Sequence, residues 1–157
     1  MVVMHEGLVA YERVLGEAGV GRLAEVLTGQ SNPGHAAVQR VLADAVLDSG
    51  LPEQDVGRQD ADNPQAKVRK HVDAIANELR VPFSYLENQY PDALVQRLVL
   101  AGQGASIQGL EKHLALHLDM EVQVVSPAKM AECPPGLVAE CGPASIAAMG
   151  LAKHKEG

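Results

Sequence analysis

Leu98-Val99-Leu100-Ala101-Gly102-Gln103-Gly104-Ala105-Ser106-Ile107-Gln108-Gly109-Leu110 is the stretch on which the fold turns. Leu98 to Ala101 is a short apolar run without alternation, as expected of a strand covered on both faces. Gly102-Gln103-Gly104-Ala105 reads as a tight loop. Ser106 stands where a side-chain oxygen can cap a helix, and the apolar face of that helix is Ile107, Leu110, Leu114 and Leu118. Asp119-Met120 turns the chain into Glu121-Val122-Gln123-Val124-Val125, a second strand. Strand, helix and strand at this spacing make a βαβ-like unit, right-handed if the strands are parallel neighbours.

A Gly-x-Gly between strand and helix has a chemical meaning. Residues without a Cβ let backbone approach a flat or phosphorylated ligand. The helix start adds free N–H donors and a partial positive charge. Ligands of α/β folds also gather at the carboxyl ends of strands. By itself the pattern serves equally as a tight turn with no ligand.

Working outward, Val68, Val72, Ile75, Ala76, Leu79, Phe83 and Leu86 keep one helical face over about five turns. Pro82 inside that pattern removes one backbone donor and predicts a kink. Val38, Val41, Leu42, Ala45 and Val46 mark a helix from about His35 to Leu47, capped by Asn32 or Ser31 before Pro33. Val20, Leu23, Ala24 and Leu27 mark another from about Glu17, stopped by Gly29. Met1-Val2-Val3-Met4, a turn at His5-Glu6-Gly7, and Leu8 to Val14 read as a hairpin. Leu51 to Gln65 is a polar surface connection, and Ser126 to Gly142 a loop region. Pro143 to Lys153 closes the chain as a last helix. No internal repeat is visible.

The 157 residues suffice for one domain with a real core. With Phe83, three Tyr and no Trp, that core must be built from aliphatic side chains. A net charge of -7 argues against nucleic-acid binding, which calls for a basic patch or stripe. No apolar run reaches the roughly 20 residues of a membrane span, and Met1 to Gly7 lacks the basic start of a signal peptide. Cys133 and Cys141 match no zinc pattern, so two unpaired thiols in a reducing cytoplasm are expected.

Val95 to Leu110 resembles the adenosine-loop signature of the actin/Hsp70/sugar-kinase superfamily, in which a strand ends in a glycine cluster followed by small residues and Gly-Leu. Leu114, Leu118 and Glu121 to Pro127 resemble the helix and strand that follow in the PilM family of type IV pilus assembly proteins and in the related FtsA. Ala144-Ser145-Ile146-Ala147-Ala148-Met149-Gly150-Leu151-Ala152 is similar to the close of the PilM family. Glu78 to Tyr85 resembles its long helix, and Gly7 to Gly16 its hairpin after the second phosphate loop.

The resemblance implies an α/β fold: a partial actin-like ATPase (ribonuclease H-like) domain with a mixed sheet flanked by helices. Residues 1–157 would form its C-terminal subdomain, with 17–65 as a small helical lobe and 66–157 as the adenosine-loop core. It implies ATP with magnesium as cofactor, held by Gly102, Gln103, Gly104, Ala105 and Ser106. It also implies a cytoplasmic component of pilus or secretion assembly, peripheral at the inner membrane through protein partners.

Four departures matter. Gln103 replaces the second of two adjacent glycines. The helix at His35 to Leu47 offers Gln39 and Arg40 where the family has an acidic residue and a lysine. Pro82 replaces a serine. Both phosphate loops, with their Asp-x-Gly segments, would lie before Met1. Phosphoryl transfer requires those loops to position phosphate and metal, so no catalytic residue is expected within this sequence. The competing expectation is a truncated or degenerate interaction module without nucleotide, with self-association through an unpaired edge at Met1 to Met4.

Other groups carry less. His113 and His117 have metal-binding spacing on one helix but no third ligand nearby in sequence, so a helix-surface pair and no metal site are expected. Asp44, Asp48, Glu53, Asp55, Asp60 and Asp62 read as a solvated region. Lys67, Arg69 and Lys70 read as a solvated helix face, and Ser145 and Ser106 lack the context of a nucleophile.

Overall fold

The computed structural model describes residues 1–16, 18–47, 63–91, 95–130 and 141–153. Its elements run β1 (Val2–His5), β2 (Leu8–Glu12), α1 (Val20–Thr28), α2 (His35–Asp44), α3 (Pro64–Gln89), β3 (Arg97–Leu100), a 3-10 turn (Gln103–Ser106), α4 (Leu110–Leu118), β4 (Glu121–Val124), the short α5 (Pro127–Met130), a second 3-10 turn (Pro143–Ser145) and α6 (Ile146–Lys153). The chain is α/β. Among the described residues the expected single mixed sheet is instead two separate two-stranded ladders. One is the antiparallel hairpin β1–β2 and the other the parallel pair β3–β4.

The hairpin closes through Glu6 and Gly7, both at positive φ (51° and 80°), the geometry that matches the twist of the flanking strands. Val3 pairs with Tyr11 but Met4 with Val9, so Ala10 is the extra residue of a bulge. Met1, Val3 and Tyr11 turn inward onto Leu79, Phe83 and Leu86 of α3. The Tyr11 and Tyr85 rings meet at 5.7 Å in a tilted pair.

Helix α3 is the spine. Asn63 caps it, its side chain accepting from the Gln65 N–H at 3.0 Å, and Pro64 opens the first turn. Val68, Val72, Ala76, Leu79, Phe83 and Leu86 are buried along one stripe. The helix continues through Pro82, whose ring is fully buried. The stripe divides its packing. Its first half joins Leu23 of α1, Leu42 of α2, Leu110 and Leu114 of α4 and Val122 of β4, while its second half carries the hairpin.

Strands β3 and β4 pair from Arg97–Glu121 to Leu100–Val124, and α4 is the crossover between them. The ladder continues one step as the Val125 N–H donates to the Leu100 carbonyl at 2.9 Å. The Arg97–Glu121 ion pair at its start, 3.3 Å and well exposed, adds little.

Four local expectations are corrected. Ser106 does not cap α4: it lies in the 3-10 turn, and α4 starts after Gly109, at φ 86°. The cause is a close approach. A Cβ on Gly109 would sit 2.2 Å from the Leu47 carbonyl oxygen, so the chain can pass there only as glycine. Helix α2 ends at Asp44, not Leu47, because Val46 pairs with Gln108 and the Leu47 N–H donates to the Gln108 carbonyl at 2.8 Å. The N-cap of α2 is Gly34, without a side-chain bond, rather than Asn32 or Ser31. Finally, Cys141 is disulfide-bonded rather than a free thiol. Thiol usage therefore no longer argues for a reducing compartment. Cys133 lies outside the described residues, as do Asp48 to Asp62 of the acidic region. No helix among the described residues is long and apolar enough to cross a membrane.

Candidate functional site

The glycine loop leaves β3 with Gly102 at φ 89°. The Gly102 N–H donates to the Pro143 carbonyl, the Ala105 N–H to Gly102 and the Ile107 N–H to Gly104. These three donors hold the loop's own shape, so they are not offered to an anion. What the loop does present is side-chain surface. Gln103, Ala105 and Ser106 line a cleft of about 690 Å³ together with Gln39 of α2, Glu111 of α4 and Ala144 before α6.

The five residues expected to hold a nucleotide therefore divide. Ser106 is exposed at the cleft, Gln103 and Ala105 border it, and Gly104 faces the other way. A Cβ on Gly104 would meet Val20 Cγ2 at 3.2 Å, so this glycine lets the loop pack against the start of α1. Gly104 lines a second, more apolar pocket of about 420 Å³ with Val20, Leu23 and Leu79. Gly102 shapes the turn and lines neither pocket.

Among the residues lining the cleft, Glu111 is the one charged side chain, and the polar remainder is Gln39, Gln103, Ser106 and Gln108. Such a wall can hydrogen-bond a neutral, flat or hydroxylated ligand. Among the described residues it supplies no cation for phosphates. Gln39, which departs from the acidic residue and lysine of the family pattern, lines this cleft with the loop, whereas Arg40 does not.

A second constellation was not expected. His113 and His117 of α4 meet Asp73 of α3. The His113 Nε2 lies 2.7 Å and the His117 Nε2 3.4 Å from the same oxygen, Asp73 Oδ1. The two imidazoles stack at 4.1 Å with 19° between their planes. His113 is buried, at 8% exposure, so the expectation of a surface histidine pair is corrected there. The third member lies 40 residues away in sequence, on another helix, where spacing along one helix could not reveal it.

No family model matches the chain, and no curated protein matches it either.

Proposed function

We propose that the chain is a PilM-like, adenosine-binding component of the actin-like ATPase class, acting as a catalytically incomplete scaffold in pilus or secretion assembly. The observation that carries the reading is the cleft itself. A strand, a glycine loop and a crossover helix put Gln103 and Ser106 opposite Gln39, with Glu111 at its edge. A carboxylate with amides around an apolar floor of Leu42, Ile107 and Val124 suits a purine and a ribose hydroxyl. ATP with magnesium would enter by its nucleoside end. Among the described residues no lining side chain is basic, so the phosphates would project outward, and catalysis would need groups other than these. Assembly partners at the inner membrane belong to the same proposal.

Calorimetric titration with adenosine and with ATP–magnesium tests this. Both are expected to saturate, within about tenfold of one another, because the phosphates add few contacts; a tenfold ratio corresponds to about 1.4 kcal/mol. Ser106→Trp fills the cleft and should abolish both, whereas Gln103→Gly widens it and should not weaken either. Ser106 is the better probe than Gly104, where a larger side chain would push on Val20 whether or not a ligand binds. No saturation by millimolar adenosine would sink the nucleotide reading.

One observation favours a second reading, an interaction module without nucleotide. Val2, Met4, Leu8, Val9 and Val14 are all exposed around the hairpin, with Met4 and Val9 paired side by side at 63% and 61%. A cross-strand apolar pair open to water on a two-stranded ladder suits a protein contact.

A further inference from the structure

We propose that Asp73, His113 and His117 form a binding site for one transition-metal ion of the zinc class, clamping α3 to α4. It is independent of the nucleotide cleft, which none of the three residues lines.

Hydrogen-bond logic carries the inference. His117 Nδ1 lies 2.9 Å from the His113 backbone carbonyl, which can only accept, so Nδ1 carries the proton. That leaves Nε2 as the atom of the His117 ring free to ligate, and it lies 3.4 Å from a carboxylate oxygen. Either a proton on Nε2 or a metal ion can bridge that pair, and the Nδ1 hydrogen bond already sets the ring in the tautomer that a metal takes. His113, stacked on the same ring, brings its own Nε2 to the same oxygen at 2.7 Å.

The three ligand atoms all lie within 4.8 Å of one another. Metal–ligand bonds of about 2.0–2.1 Å in tetrahedral geometry place ligand atoms about 3.3 Å apart, so small rotations of Asp73 and the rings suffice. Two imidazoles and a carboxylate are a donor set for zinc, cobalt or iron(II) rather than for magnesium or calcium, which take oxygen. On binding, the neutral His113 ring changes tautomer, its proton passing from Nε2 to Nδ1 by exchange with solvent, and the Nε2 lone pair turns to the metal. Asp73 and His117 stay more than a third exposed, so a fourth position opens to water.

The site is braced. Arg80, two turns beyond Asp73 on α3, donates from Nη2 to the His117 carbonyl at 2.8 Å, and from Nη1 to Asn77 Oδ1 at 3.3 Å. The tautomer, the ring stack and the helix–helix distance are thus fixed by contacts that do not involve the metal. Such outer support is what a metal site of this kind uses to orient its ligands.

The test uses the untagged 157-residue chain, stripped with chelator and titrated with Co2+ under visible absorption, then with Zn2+ to displace it. The expected result is one equivalent bound, with the strong visible bands of a low-coordinate cobalt centre, unaffected by excess Mg2+. Asp73→Asn and His117→Ala change partly exposed residues and should weaken binding at least about tenfold, the smallest loss seen even for outer-shell partners. His35→Ala, a histidine elsewhere, should bind as the parent does. Circular dichroism checks that each variant is folded. No cobalt bands in the parent, or unchanged affinity in Asp73→Asn, overturns the proposal.

Discussion

Gly109 is the residue at which the loop region is most tightly determined. It combines a positive φ with a backbone carbonyl at 2.2 Å from any added Cβ, two independent reasons for glycine. Gly109→Ala should therefore destabilise the fold by at least about 1–3 kcal/mol, through strain and forced separation of Leu47 from Gln108. The midpoint of urea denaturation measures it, and an unchanged midpoint would refute the close approach. Ser106 and Gly109 also show what a sequence conceals. Serine before an apolar periodicity is a good cap, yet the helix starts later because a segment from α2 occupies the space. Cap chemistry is local, whereas the position of Leu47 is tertiary. The same distinction separates His113 and His117, visible at their spacing, from Asp73, which only the packing of α3 on α4 brings to them.

Among the elements, those with a strong 3.6-residue stripe were legible. Val68 to Leu86 of α3 and Leu110 to Leu118 of α4 bury most of the residues that periodicity selects, with Ile75 and Leu118 half-buried at the margins. The hairpin was legible from its apolar strands and Gly7. The end of α2 was not, because Val46 continues the helical pattern and yet leaves it to pair with Gln108. The start of α3 is held by one side chain, and Asn63→Ala should cost about 1 kcal/mol, within a range of about 0.5–2. Loss of ellipticity on heating at a lower temperature is the readout. No shift would mean that tertiary burial of Val68 and Val72 alone holds the first turns.

At the scale of the whole molecule, two hydrophobic clusters share α3, and the hairpin is fastened to the second of them by one face only. Replacing Met4 with Lys and Val9 with Glu on the other face removes apolar surface without touching the core. Stability should stay within about 0.5 kcal/mol of the parent. Any concentration-dependent association seen by sedimentation velocity in the parent should fall in this double variant. Persistence of association would place the contact elsewhere. The candidate cleft was legible only in part: Gln103, Ala105 and Ser106 came from the loop pattern, but the orientation of Gly104 toward Val20 depends on where α1 packs. That Gln39 rather than Arg40 lines the cleft follows from which side of α2 faces the loop, and no periodicity states that.

The Val46–Gln108 pairing also bears on how the molecule opens and closes. These partners are far apart in the chain, so their hydrogen bond forms only after a long segment has been closed and its entropy lost. The Leu47 amide, bonded to the Gln108 carbonyl, is therefore a reporter for closure of this long-range contact. If its hydrogen exchange is as slow as that of the central α3 amides, cleft wall and spine open as one cooperative unit. If it is faster, the wall of the cleft unlatches on its own while the spine stays folded.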